Sequence, residues 1–153
     1  MNKFAPKGKV KVVAGTIVNP EYAGLKLILH PINDSGEANS KLSETLDKKW
    51  KKVKEETKGW YSSRVNFKQG EINTVAVQSD VWVINSLCKD KDNQFQMESL
   101  TSCLKKIVSI AKNEKASVHI SMLLNEDYSD LSTVLENEVV NSGVNVSYYQ
   151  ETQ

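Results

Sequence analysis

Cysteine is scarce in this chain of 153 residues, and no sign of charge prevails. Its only cysteines, Cys88 and Cys103, are too few in this length to make a disulfide framework. No metal-ligand spacing of His, Cys, Asp or Glu is present, and neither a metal nor a cofactor is expected. Cys103 falls on the apolar face of a helical pattern and reads as a small core residue. Cys88 ends a strand pattern. A nucleophilic role for it would need His30 or His119, and both lie in apolar strand segments. Twenty basic residues nearly balance 19 acidic ones, for a net charge of +1. Nucleic acid and an anionic membrane are therefore not indicated. No apolar run approaches the length of a spanning helix and no apolar h-region follows Met1, so the cytoplasm is the default compartment. Repeats, low-complexity segments and dividing linkers are also absent, and residues 1–153 are expected to form one domain.

What is present is a globular composition, with 39% hydrophobic and 25% charged residues. Lys9 to Ile17 alternates and is rich in Val, which predicts a strand. Asn19 to Gly24 is turn chemistry. Leu25 to His30 is a short, nearly continuous apolar run, as in a strand buried on both faces. A helix is predicted from about Asn39 to Glu56, with Leu42, Leu46, Trp50 and Val53 inward. Its basic run from Lys48 to Lys54 is diluted by Glu44, Asp47, Glu55 and Glu56 and reads as a solvated face rather than a nucleic-acid patch. Gly59 to Gly70 has no clear period. Glu71 to Val77 and Val81 to Cys88 read as a hairpin across Gln78-Ser79-Asp80. After a polar loop from Lys89 to Gln96, Met97 to Asn113 has the strongest helical period in the chain. Val118 to Leu123 is a strand and Asn125 to Ser129 a polar loop. Leu131 to Asn141 is a helix closed by Gly143, and Val144 to Tyr149 is a last strand. The order ββαββαβαβ predicts an α/β fold with helices layered on a mixed sheet.

The segment Ile28 to Trp50 runs from an apolar strand through a polar loop straight into an amphipathic helix. In open α/β sheets ligands bind outside the carboxyl ends of strands, beside helix starts. The loop is either such a binding loop or an ordinary connection.

Several strings, in this order, resemble the macro domain, a three-layer α/β/α fold that binds ADP-ribose. They are Gly15-Thr16-Ile17; the apolar strand with His30 running into Asn33; Gly36 with the spacing of Leu42, Leu46 and Trp50; Gly70-Glu71; Glu98-Ser99-Leu100; Ile120-Ser121-Met122; Leu135-Glu136-Asn137; and the last strand ending in Tyr148-Tyr149. The likeness covers nearly the whole chain and is nearest to the small branch of ADP-ribosyl hydrolases and ADP-ribose phosphatases. It implies Thr16 and Ile17 near adenine, Asn33 and Gly36 near the distal ribose, and Asn39, Ser40 and Lys41 along the phosphates. It also implies a second binding loop that includes Asn125 and Tyr128. Lys89 and Asp130 match the Lys/Asp pair that some hydrolases of this kind use, with Lys91 one alternative to Lys89 and a helix N-terminal role one alternative for Asp130.

This sequence departs from the pattern in three places. Thr16 stands where an Asp usually follows the opening Gly, so a neutral hydroxyl replaces a carboxylate. The glycine run before the first helix is replaced by Asn39-Ser40-Lys41. The second loop has no glycine and carries Glu126 and Asp127. A carboxylate roughly 5 Å from a phosphate, at an effective dielectric near 20, costs on the order of 3 kcal/mol, or about a hundredfold in affinity. The resemblance therefore implies one of two functions. One is recognition of ADP-ribose or a related nucleotide, free or on a modified protein, with hydrolysis of ADP-ribosyl linkages left open. The other is a degenerate macro-fold module without hydrolase activity that binds another protein or a different ligand. Macro domains occur in viruses and phages as well as in cells, and a chain this lean fits a viral source acting in a host cytoplasm.

Overall fold

The described residues form six strands and four α-helices in the order ββααββαβαβ. The computed structural model describes residues 6–37, 40–126 and 131–151, the side chains at 125 and 126 excepted. The strands are β1 (Val10–Val13), β2 (Lys26–Asn33), β3 (Ile72–Gln78), β4 (Val81–Lys89), β5 (Ser117–Ser121) and β6 (Val146–Tyr149). They form one sheet in the order β1-β6-β5-β2-β4-β3. Every neighbouring pair is parallel except the β3–β4 hairpin. The carboxyl ends of β1, β6, β5, β2 and β4 therefore share one edge of the sheet.

All eight residues of β2 are buried, as its apolar run requires of a central strand. Each fully buried Leu or Ile there contributes about 1.5–3 kcal/mol. Side chains alternate between faces, so Lys26, Ile28, His30 and Ile32 share one face and Leu27 and Leu29 the other. The first face meets α1 (Lys41–Lys49) and α2 (Lys51–Ser63): the His30 imidazole bonds Ser43, and Ile32 packs with Trp60. The second face is covered by α3 (Met97–Glu114) and α4 (Leu131–Glu138), which also contact each other. The result is the expected three-layer α/β/α arrangement around a mixed sheet. No helix among the described residues is long and apolar enough to cross a membrane.

The helix expected from Asn39 to Glu56 is two helices. Trp50 takes an extended backbone, φ −132° and ψ 97°, and ends α1. No Gly or Pro marks the break. Its tertiary counterpart is the Trp50 side chain, which packs against the core. α2 then continues through Gly59 to Ser63, inside the stretch that showed no period. Arg64 closes it with φ 58°, its guanidinium 4.0 Å from the centre of the Tyr61 ring. Trp60 and Tyr61 both meet Phe67 edge-on, at 4.9 and 5.3 Å between ring centres. These rings buttress the loop that follows β2.

At the opposite edge, Lys26 Nζ donates to Tyr22 O, Gly24 O and Asp80 Oδ2 at 2.8–3.0 Å. The buried ammonium thereby fastens the hairpin turn to the start of β2.

Candidate functional site

β2 pairs with β4 along its whole length but with β5 only from Lys26 to Ile28. Pro31 follows, and it has no N–H to donate to a neighbour. The two central strands thus part at their carboxyl ends. Beyond that point β2 leads to α1 on one face, and β5 leads through a 3₁₀ turn (Met122–Glu126) towards α4 on the other. Adjacent strands whose connections leave to opposite faces define a switch point, the place where open α/β sheets bind ligands.

Asn33 and Lys89 are cross-strand neighbours at this end of β2 and β4. Asn33 is buried, and its Oδ1 accepts from Ser35 N, Ser35 Oγ and Glu37 N at 2.6–3.3 Å. The Asn33 carbonyl oxygen of the side chain is therefore spent on shaping its own loop, a local alternative to regular structure typical of Asn. Lys89 is 1% exposed, with Nζ 4.8 Å from the centre of the Phe95 ring. Its backbone carbonyl accepts from Gln69 Nε2, which also donates to Asp34 Oδ1. Lys91 is exposed. The strand-end position thus belongs to Lys89 and not to Lys91.

Gly36 has φ +73°, and a Cβ built there would lie 2.3–2.6 Å from the Tyr61 side chain. Only glycine allows both the backbone and this approach. Gly36→Ala should lower unfolding stability by about 2 kcal/mol, read from the urea midpoint, and Tyr61→Ala in the same chain should recover part of it. No recovery would mean that the backbone conformation alone carries the cost.

Ser40 is the N-cap of α1 and accepts from Ser43 N at 3.0 Å. Its hydroxyl also meets Ser43 Oγ at 2.9 Å. Ser43 Oγ is 2.8 Å from His30 Nε2, and His30 Nδ1 is 2.7 Å from Asn85 Oδ1. Asn85 Nδ2 then donates to Asn73 Oδ1 at 3.1 Å. The chain is satisfied by a neutral imidazole that donates from Nδ1 and accepts at Nε2. Burial, the larger effect, and the nearby Lys89 charge lower the His30 pKa to about 4 against the opposing hydrogen bond that the imidazole donates to Asn85. Sequence reasoning missed this network. Its only signal was a histidine in an otherwise apolar strand.

Thr16 and Ile17 meet a partner the sequence did not suggest, Glu151, just past β6. Glu151 Oε1 accepts from Thr16 Oγ1 at 2.8 Å, and Oε2 accepts from Ile17 N at 3.0 Å and Ser121 Oγ at 2.7 Å. One carboxylate joins the ends of β1, β5 and β6.

Gly36, Ser40 and Lys41 line a cavity of about 700 Å³ between α1, α2 and the loop after β2. His30 and Thr57 are its buried floor, and Glu37, Glu44, Asp47, Lys54 and Lys58 complete it. Asn39, Tyr128 and Asp130 lie outside the described residues, as does the Asn125 side chain. Cys88 and Cys103 are buried free thiols, and desolvation, the largest influence, holds the Cys88 thiol far above its usual range. Such a thiol is not a nucleophile. No group of three or more potential metal ligands occurs among the described residues.

No protein-family model matches the sequence, and no curated protein matches it either. Solved structures do resemble it. A macrodomain protein from Streptomyces coelicolor is 22% identical, with a TM-score of 0.85 over 94% of this chain and 100% of that one. A protein of unknown function from Bacteroides thetaiotaomicron is 24% identical, with a TM-score of 0.84 over 93% and 98%. Thermosipho africanus DarTG, solved in complex with ADP-ribose, is 14% identical, with a TM-score of 0.70 over 92% of this chain and 41% of its own.

Proposed function

We propose that this chain, whose fold is that of the macrodomains, binds ADP-ribose or a related nucleotide in the crevice where β2 and β5 part. The observation that carries this reading is the switch point itself, with the β2–β5 pairing ending at Ile28 and Asn33 and Lys89 side by side at the strand ends. A protein of the same fold binding ADP-ribose supports it. Titration calorimetry with ADP-ribose tests it. A dissociation constant in the micromolar range is expected, and no heat at about 1 mM ligand would overturn the proposal.

Hydrolysis of an ADP-ribosyl linkage is the finer part of the proposal. The unprotonated Lys89 amine would attack the anomeric carbon as the bond from that carbon to the modified group breaks, Asp130 would pass a proton to the departing group, and water would then cleave the lysine adduct to release ADP-ribose and restore the amine. Lys89→Met keeps the apolar stem of a buried side chain. It should reduce release of ADP-ribose from a modified protein by about 100-fold or more, with binding retained. Equal loss of binding and turnover would make Lys89 a structural or binding residue.

A second reading, a macro-fold module whose nucleotide site has been retuned or lost, is favoured by Glu151. Its carboxylate already holds the Ile17 amide and the Thr16 hydroxyl, the two groups expected near adenine.

A further inference from the structure

The cavity between α1 and α2 does not extend the strand ends. The helix after β2 breaks at Trp50, and its two parts, α1 and α2, both line the cavity. Its volume, about 700 Å³, lies within the range of small-molecule sites. Lys54, Thr57 and Lys58 present one face of α2. Ser40, Lys41, Glu44 and Asp47 present the facing side of α1. Lys54 and Lys58 stand one turn apart, so their ammonium groups can converge on a single anion. Among the described residues neither is in an ion pair with a carboxylate. Asp47 Oδ1 is shielded from solvent and has no hydrogen-bond partner. Burial raises the Asp47 carboxyl above its usual range, against the pull of Lys54 and Lys58. A buried acceptor without a partner is a group that a donating ligand would satisfy.

Three lysines and three carboxylates make this lining neutral overall. A bare anion would gain on the lysines and lose against Asp47, Glu44 and Glu37. A ligand carrying both an anion and hydroxyl donors satisfies both sets at once. No Phe, Tyr or Trp lines the cavity, and both nitrogens of His30 are already bonded, so there is no platform for a base. We infer that the cavity between α1 and α2 is a site for a small sugar phosphate, its phosphate held by Lys54 and Lys58 and a hydroxyl donating to Asp47 Oδ1. The site shares the loop residues Gly36, Ser40 and Lys41 with the nucleotide reading, but the groups that define it, Lys54, Lys58 and Asp47, take no part in that reading.

Titrations of the whole chain with ribose 5-phosphate, ribose and inorganic phosphate, each to about 10 mM, test it by calorimetry or by amide chemical shifts. Ribose 5-phosphate should bind about tenfold or more tightly than either fragment. Lys54→Ala with Lys58→Ala, both exposed positions, should abolish that binding while circular dichroism and the thermal transition stay unchanged. Asp47→Ala, which removes the acceptor, should bring ribose 5-phosphate and inorganic phosphate to the same affinity. Equal affinity for ribose 5-phosphate and phosphate in the parent chain would overturn the proposal. So would binding that survives the double lysine substitution. A parallel titration of the double variant with ADP-ribose reports on the strand-end crevice, so failure of one site is not mistaken for failure of the other.

Discussion

At pH 4 the protein should be about 6 kcal/mol less stable than at pH 7, from two histidines alone. His30 is buried between Asn85 and Ser43, and its pKa falls to about 4. His119 is buried between Ser117 Oγ and Tyr149 OH, each at 2.7 Å, with the Tyr22 ring edge-on at 6.0 Å. Desolvation, then the Lys26 charge, lowers its pKa to about 3. Both folded values lie below the unfolded value near 6.5. The unfolded chain therefore binds more protons than the native one as pH falls, and stability drops with it. The loss begins near pH 6.5 and reaches about 3 kcal/mol for each histidine at pH 4. Glu71 and Asp80, held low mainly by hydrogen bonds from Lys106 and Lys26, push the same way at lower pH. Asp47, raised by burial, opposes them. A domain with 5–15 kcal/mol in hand loses much of it. Urea unfolding at pH 7, 6, 5 and 4 checks the slope, and ring-nitrogen NMR checks that neither imidazole titrates above pH 5. A flat stability between pH 6.5 and 4 would show that water reaches these rings.

The architecture was legible in the sequence where burial repeats with a simple period. β2, β4 and α3 carry long apolar patterns, and each was expected within a few residues of where it lies. The hairpin turn at Ser79 and Asp80 was readable from turn chemistry, whereas Gly143, expected to close a helix from Leu131 to Asn141, closes a 3₁₀ turn (Val140–Ser142) after α4 has ended at Glu138. The break at Trp50 was not. Its flanks are lysines with ordinary helix propensity, and the cause is tertiary. The run of α2 to Ser63 was hidden by Gly59 and by aromatics that pack against the loop after β2 instead of the main core.

Of the candidate site, the resemblance named residues at strand ends and helix starts, positions that the order of elements sets. Asn33, Lys89 and Ser40 stand at such positions. The hydrogen-bond partners could not be read the same way. His30 reaches Asn85 and Asn73 across three strands, and Glu151 reaches back 134 and 135 positions to Ile17 and Thr16. No local pattern encodes contacts over such separations. The cavity between α1 and α2 was equally invisible, since two helices line it where one was expected.

Replacing Glu151 by alanine should change both stability and ligand affinity, in opposite directions. Three donors converge on that carboxylate, one of them the backbone N–H of Ile17, a residue with no exposed surface. Hydrogen bonds to a charged acceptor contribute about 1.5–3 kcal/mol each when buried and less when water can replace them. Glu151 is only half-buried, so Glu151→Ala should cost about 3 kcal/mol in total, read from the urea midpoint. Its backbone sits at φ 59°, an uncommon conformation for a residue with a side chain, and its own N–H bonds Gly15 O at 2.7 Å. The backbone bond survives the substitution, which keeps β1 and β6 together. What the substitution releases is the Ile17 amide, the Thr16 hydroxyl and the Ser121 hydroxyl at the rim of the crevice. If that rim reads a nucleotide, those donors become available, and a carboxylate that competes for them and repels phosphate is gone. ADP-ribose should then bind the alanine variant about tenfold more tightly than the parent chain, measured by calorimetry under conditions where both are folded. Glu151→Gln, which keeps one acceptor and no charge, should fall between the two. Unchanged affinity would mean that the ligand never meets these donors. No binding by any of the three proteins would leave Glu151 as a strut among strand ends and favour the retuned module over the nucleotide reader.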